Sequence, residues 1–164
     1  MYSLHCTKKL LDRIKQPLAM PPPPPPTTAL GNWYATALYW KPQLALLVNE
    51  QTLLPVLMPL APASTLAARF GDELAAALSR HGAGQEFIER ELAAMTEVAM
   101  CKTANRSVVG TMNEFSFLAE GYREYLETSD LVTLSMRLAN TPCSPIQYNS
   151  PARLLKELFG DAVR

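Results

Sequence analysis

The stretch Lys102-Thr-Ala-Asn-Arg-Ser-Val-Val-Gly-Thr-Met-Asn-Glu-Phe115 gathers Lys102, Thr103, Asn105, Arg106, Ser107, Asn113 and Glu114 around one glycine, Gly110. An ammonium and a guanidinium beside the first turn of a helix are the groups that hold an anion, because free helix-start amides and the dipole add to their charge. Positions 106, 110 and 113 share one side of a helix, since seven residues make nearly two turns. Gly110 inside that helix costs about 1 kcal/mol relative to alanine, so a close-packed neighbour or a ligand is expected to offset it. Glu114 is the one carboxylate of the stretch, and without a histidine it gives little basis for acid–base catalysis. Asn49 and Lys8 join the set if a hairpin and an N-terminal helix pack beside it. The candidate ligand-binding residues are therefore Lys8, Asn49, Lys102, Asn105, Arg106, Ser107, Asn113 and Glu114. The plainer alternative makes Asn105 and Ser107 helix caps and Arg106 half of an ion pair.

Other chemistries have less support. His5 and Cys6 are adjacent, His81 and Cys101 lie far off, and none has zinc spacing, so neither metal nor cofactor is expected. Nucleotide-loop glycine patterns and the Gly-x-Ser-x-Gly elbow do not occur. Trp33, Tyr34, Tyr39 and Trp40 could stack on bases, but at helical spacing they read as core.

The formal net charge is zero, which gives no bulk argument for a polyanion. Residues 1–69 nevertheless carry six basic and two acidic side chains, and residues 70–130 carry five and eleven. A basic face from Lys8, Lys9, Arg13, Lys15, Lys102 and Arg106 would suit nucleic acid or another polyanion. No run of eighteen apolar residues predicts a membrane span, the N-terminus lacks signal-peptide order, and three scattered cysteines are no disulfide framework. A cytoplasmic protein is expected.

The elements that must position these residues follow from periodicity. Met1–Thr7 reads as a strand and Lys8–Lys15 as a helix. Residues 17–28, with six consecutive prolines from Pro21 to Pro26, read as a proline-rich loop or linker, and deletion of Pro21–Pro26 should leave the fold nearly unchanged. A helix is expected through Gly31–Trp40, with Leu30, Tyr34 and Leu38 on one face. Two apolar runs, 43–48 and 53–58, flank a turn at Asn49–Thr52 and predict a hairpin, with Pro55 placing its second strand at an edge. A helix capped by Ser64 and stopped at Gly82 follows, then a second through Phe87–Met95 and a strand over 97–102. The motif helix starts near Asn105 with Val108, Met112, Phe115 and Ala119 facing the core. Asp130 begins another helix, and Ser150-Pro151 opens the last, ended by Gly160. The sum is one α+β domain over 1–164, a small, mostly antiparallel sheet of three to four strands covered by about six helices.

Cys6-Thr-Lys-Lys-Leu-Leu11, Leu30-Gly-Asn-Trp-Tyr-Ala35, Val48-Asn-Glu-Gln-Thr-Leu53, the 103–115 motif and Thr141-Pro-Cys-Ser-Pro145 occur in this order. The pattern resembles a widespread family of small prokaryotic proteins known only as a domain of unknown function. The resemblance covers nearly the whole chain except the proline run and implies a bacterial source, with no activity to carry over. Three readings remain: a binding module for nucleic acid or another phosphate-bearing ligand through residues 102–114, an interaction or scaffold domain in which that motif is structural, and an enzyme on a phosphate- or amide-bearing substrate.

Overall fold

The structure, a computed structural model, describes residues 1–128 and 130–163, with side chains to Phe159. β1 (Tyr2–Cys6) lies between β2 (Trp33–Leu38) and β5 (Val98–Lys102) and runs parallel to both. β3 (Leu44–Asn49) pairs antiparallel with β2 and with β4 (Pro55–Pro59), giving the order β4-β3-β2-β1-β5. The sheet is thus five-stranded and mixed, not the expected three to four mostly antiparallel strands. The expectation fell short because β1–β5 pairing joins residues nearly a hundred positions apart, and nothing local signals it.

The helix expected over 31–40 is strand β2. All six of its residues are buried, and alternate ones enter opposite cores: Trp33, Ala35 and Ala37 on one face, Tyr34 and Leu38 on the other. A strand covered on both faces shows no apolar–polar alternation, so its chance spacings of four pass for a helix.

Six helices cover the faces. Leu10 and Ile14 of α1 (Lys8–Ile14), Phe70, Leu74 and Leu78 of α2 (Leu66–Arg80), Ile88 of α3 (Gln85–Ala94) and Leu155 of α6 (Pro151–Val163) pack on the face of Leu4 and Trp33. Trp33 meets Phe70 edge-on, with ring centroids 5.0 Å apart. Val108, Met112, Phe115 and Ala119 of α4 (Arg106–Tyr125), with Leu134 and Leu138 of α5 (Leu131–Ala139), pack on the face of Tyr34, Leu46, Val48 and Leu57. Asn105 and Asp130 cap α4 and α5 with their side chains. Ser64 caps nothing; it lies in a 3-10 turn, Ala63–Thr65, ahead of α2. There Arg69 clamps the turn by donating to Pro59 O, Leu60 O and Pro62 O. α6 continues past Gly160 to Val163.

The loop into β2 is tied from two sides. The buried Glu91 carboxylate accepts from Ala29 N at 2.7 Å and Leu30 N at 2.8 Å. Gly31 has a φ of +76°, so its conformation favours glycine; a Cβ there would stand 2.7 Å from Gln51 Nε2, the movable end of an exposed side chain.

Candidate ligand-binding cleft

The register of the parallel strands sets three side chains in one row on the α4 face. His5 of β1 pairs with Tyr34 of β2 on one side and with Cys101 of β5 on the other. The His5 and Tyr34 rings stack, with centroids 4.7 Å apart and planes 18° from parallel. His5 Nδ1 lies 2.9 Å from Lys102 O. A carbonyl only accepts, so Nδ1 carries the hydrogen and Nε2 is left as an acceptor with no protein partner among the described residues. The Tyr34 hydroxyl accepts from Asn105 N at 2.9 Å, which joins the row to the start of α4. Burial raises the Tyr34 phenol, and that Asn105 bond partly offsets it. Burial also raises the Cys101 thiol, partly offset by the neighbouring Ser3 hydroxyl. Cys101 is therefore a neutral thiol at pH 7 rather than an activated nucleophile. Its contact with Ser3 falls short of hydrogen-bond geometry, and the fully buried Ser3 Oγ has no other partner among the described residues.

Above this row lies a cleft of about 460 Å³ lined by His5, Cys101, Lys102, Thr103, Ala104, Leu18, Ala19, Pro21 and Pro23. Its far wall is the proline-rich segment. Residues 17–28 hold no helix or strand, yet they are anchored: Ala19 N donates to Met100 O at 2.8 Å and Thr27 N to Met1 O at 2.9 Å. The segment thus lies along β5, the edge strand, and its prolines offer no donors with which another strand could pair. The cleft opens beside the last residues of β1 and β5, and the carboxyl ends of parallel strands are where open sheets with helices on both faces bind ligands.

The sequence-derived candidates are spread over several places. Lys102 borders the cleft. Asn105 is the α4 cap: its side chain accepts from Ser107 N at 2.9 Å and Val108 N at 3.4 Å, occupying amides that a bound anion would need. Arg106 and Ser107 are exposed on the first turn, and Asn113 and Glu114 are exposed on the outer face, about 10 Å further along the axis. Gly110 faces open space, with nothing within 4 Å of a Cβ built there, so no packed neighbour among the described residues accounts for it. Asn49 is fully buried and spends its side chain on the hairpin, donating to Leu30 O at 2.8 Å and accepting from Thr52 N at 2.9 Å. It lies three strands from β5, about 14 Å away. Lys8 is exposed on α1, which packs on the opposite face of the sheet, and Lys9 lies over the Tyr39 ring, 5.4 Å from its centroid. Among the described residues neither Lys102 nor Arg106 pairs with a carboxylate; the side-chain ion pair present is Arg123–Glu120 at 4.0 Å. No three of His, Cys, Asp and Glu gather at metal-binding range among the described residues.

Sequence reasoning missed His5, Cys101 and the wall of Leu18–Pro23. His5 and Cys101 were weighed only against zinc spacing; a pair of parallel partner strands was the signal needed.

The architecture is a mixed sheet sandwiched by helices, with a cleft at one edge. The chain belongs to the family described as a domain of unknown function, DUF6933, whose model matches residues 3–154. That span includes all of β2 to β5, the proline-rich segment and every residue lining the cleft. No curated protein and no solved structure matches the chain. Among the described residues no helix is long and apolar enough to cross a membrane.

Proposed function

We propose that the protein is a binding module for a compact, largely apolar ligand carrying one anionic group, a phosphate or carboxylate. The cleft at the β5 edge carries this reading. Its 460 Å³ lies in the range of small-molecule sites, and its walls are aliphatic and proline-rich. The polar groups are few and placed at one side: the His5 Nε2 acceptor, the Thr103 hydroxyl and the Lys102 ammonium. The start of the 102–114 motif thus contributes its cation and backbone, while the remainder of the motif caps and extends α4. The raised, neutral thiol of Cys101 supports binding rather than nucleophilic chemistry at this wall.

Titration with 8-anilinonaphthalene-1-sulfonate, an aromatic body with one sulfonate, tests this reading. Saturable 1:1 binding is expected, and Ala19→Trp, which fills the cleft from its wall, should abolish it. Undiminished binding by the Ala19→Trp variant would place the dye elsewhere and overturn the reading. A single-stranded oligonucleotide at about 50 mM salt supplies the polyanion arm, where binding that collapses with rising salt would point to nucleic acid instead.

A further inference from the structure

Among the described residues the outer face of α4 has no partner within the chain. Arg106, Gly110, Asn113, Phe117, Gly121 and Glu124 recur at spacings of three and four, form one stripe and are all exposed. Phe117 at its centre and Tyr125 beside its end are each 80% exposed. Gly110 and Gly121 meet nothing within 4 Å of a built Cβ. Two glycines weaken a helix, and no close approach inside this chain accounts for them. The stripe is also polarised: Arg106 at its start carries no ion pair among the described residues, and Glu120 and Glu124 stand at its end. A stripe that is cationic at one end and anionic at the other complements a reversed copy of itself.

We propose that α4 packs antiparallel on α4 of a second copy of this chain, about a two-fold axis level with residue 115. Arg106 and Glu124 are each nine positions from that level, so each Arg106 meets Glu124 of the other copy. The same operation sets Gly110 beside the Glu120–Gly121 turn and crosses Asn113 with Phe117, so the backbones approach where side chains are absent and Phe117 fills the centre. The groove of about 560 Å³ lined by Phe117, Glu120, Glu124, Tyr125 and Arg137 receives the arriving guanidinium beside its two carboxylates and aromatic faces, while Arg137 is held over the Tyr122 ring, 5.3 Å from its centroid. An isologous contact of this kind closes at two copies. It is independent of the cleft, which lies at the β5 edge.

Sedimentation velocity over about 1–500 µM, the range that captures weak specific association, reads the proposal directly. The wild-type chain should shift from monomer to dimer with concentration, and Phe117→Glu should hold it monomeric. Arg106→Glu and Glu124→Arg should each weaken association about tenfold or more, because like charges then face each other twice per dimer, and the double reversal should recover most of the loss. A monomer throughout the range, a dimer indifferent to Phe117→Glu, or a double reversal no better than the single ones would overturn it. Should Phe117→Glu disturb the fold by circular dichroism, the charge-reversal pair alone decides.

Discussion

The two edges of the sheet are closed by opposite means. Along β4 lies helix α5. Ser135 Oγ accepts from Leu57 N at 3.0 Å while donating to Leu131 O at 2.8 Å, so the strand's outward amide is satisfied from the helix. The space left among Val56, Leu57, Ala77, His81 and Ser135 is about 10 Å³, scarcely enough for one water. Along β5 lies a loop that touches the strand through a single backbone bond, from Ala19, and then continues as prolines. The space there is about 460 Å³. A helix fills an edge with side chains that interlock with the core. A donorless loop blocks pairing without filling the edge, and the unfilled volume is what a ligand can use. In this molecule protection of an edge strand and creation of a cleft are one feature.

The largest expected effect lies at the filled edge. Ser135→Ala keeps the side-chain volume close but leaves Leu57 N buried without an acceptor. Such an orphan costs about 1–3 kcal/mol, so the urea midpoint should fall clearly with the slope unchanged. A midpoint within error of wild type would mean that water reaches this edge and that the two edges are less different than their volumes suggest.

Replacing Pro21–Pro26 by six serines should cost about 1–2 kcal/mol, less than six separate proline effects because the anchors at Ala19 and Thr27 remain. The serines restore amide donors beside an edge strand and free the cleft wall, so dye binding should fall more than stability does. Deletion of the run is a harsher test than its composition suggests. The two anchors sit on adjacent strands roughly three rows apart, about 10 Å, and only Met20 would remain to join Ala19 to Thr27. One anchor must break, and with it the cleft. The proline run is thus a loop whose length matters.

The comparison also shows what could be read in advance. The hairpin around Asn49–Thr52, the caps Asn105 and Asp130, and the Val108–Met112–Phe115 stripe carry local signals, namely turn residues, short side-chain acceptors and periodicity, and each sits where those signals place it. β2 failed because burial on both faces erases alternation. The row Tyr34–His5–Cys101 was illegible because its members meet only through parallel pairing at long range. Composition showed that Pro21–Pro26 cannot pair with a strand, but not that the segment beside it lies against β5. Asn49 was singled out as a polar residue of the hairpin turn, yet the same property marks a buried loop tie as readily as a ligand contact.

The histidine at the filled edge sharpens the comparison by pH. His81 lines the filled edge, where desolvation by burial, and then Lys156, hold its pKa below the ordinary value of 6.5. A depressed histidine favours the neutral folded form above pH 6.5, and that stability is lost as pH falls through the folded-state value. Wild-type stability should therefore decline below about pH 6.5 relative to His81→Gln. Parallel curves for the two proteins between pH 7 and pH 5, measured by thermal melts in buffers of constant ionic strength, would remove His81 as the cause.

Lys102→Ala should have the smallest effect on the fold and a selective effect on the cleft. The ammonium is exposed and pairs with no carboxylate among the described residues, so removing it should move stability by no more than about 0.5 kcal/mol. At the cleft mouth it is the one cation among the described residues, so the affinity for 8-anilinonaphthalene-1-sulfonate should fall about fivefold, near 1 kcal/mol, the size of an exposed charge contact. Arg106→Ala provides the contrast. Arg106 follows Lys102 by four residues but sits on the first turn of α4, outside the cleft walls, and its loss should leave dye binding unchanged while weakening self-association. Equal loss of dye affinity in both variants would merge the cleft and the outer face of α4 into one site. Loss in Lys102→Ala alone would separate a ligand-holding start of the motif from an interaction-bearing remainder.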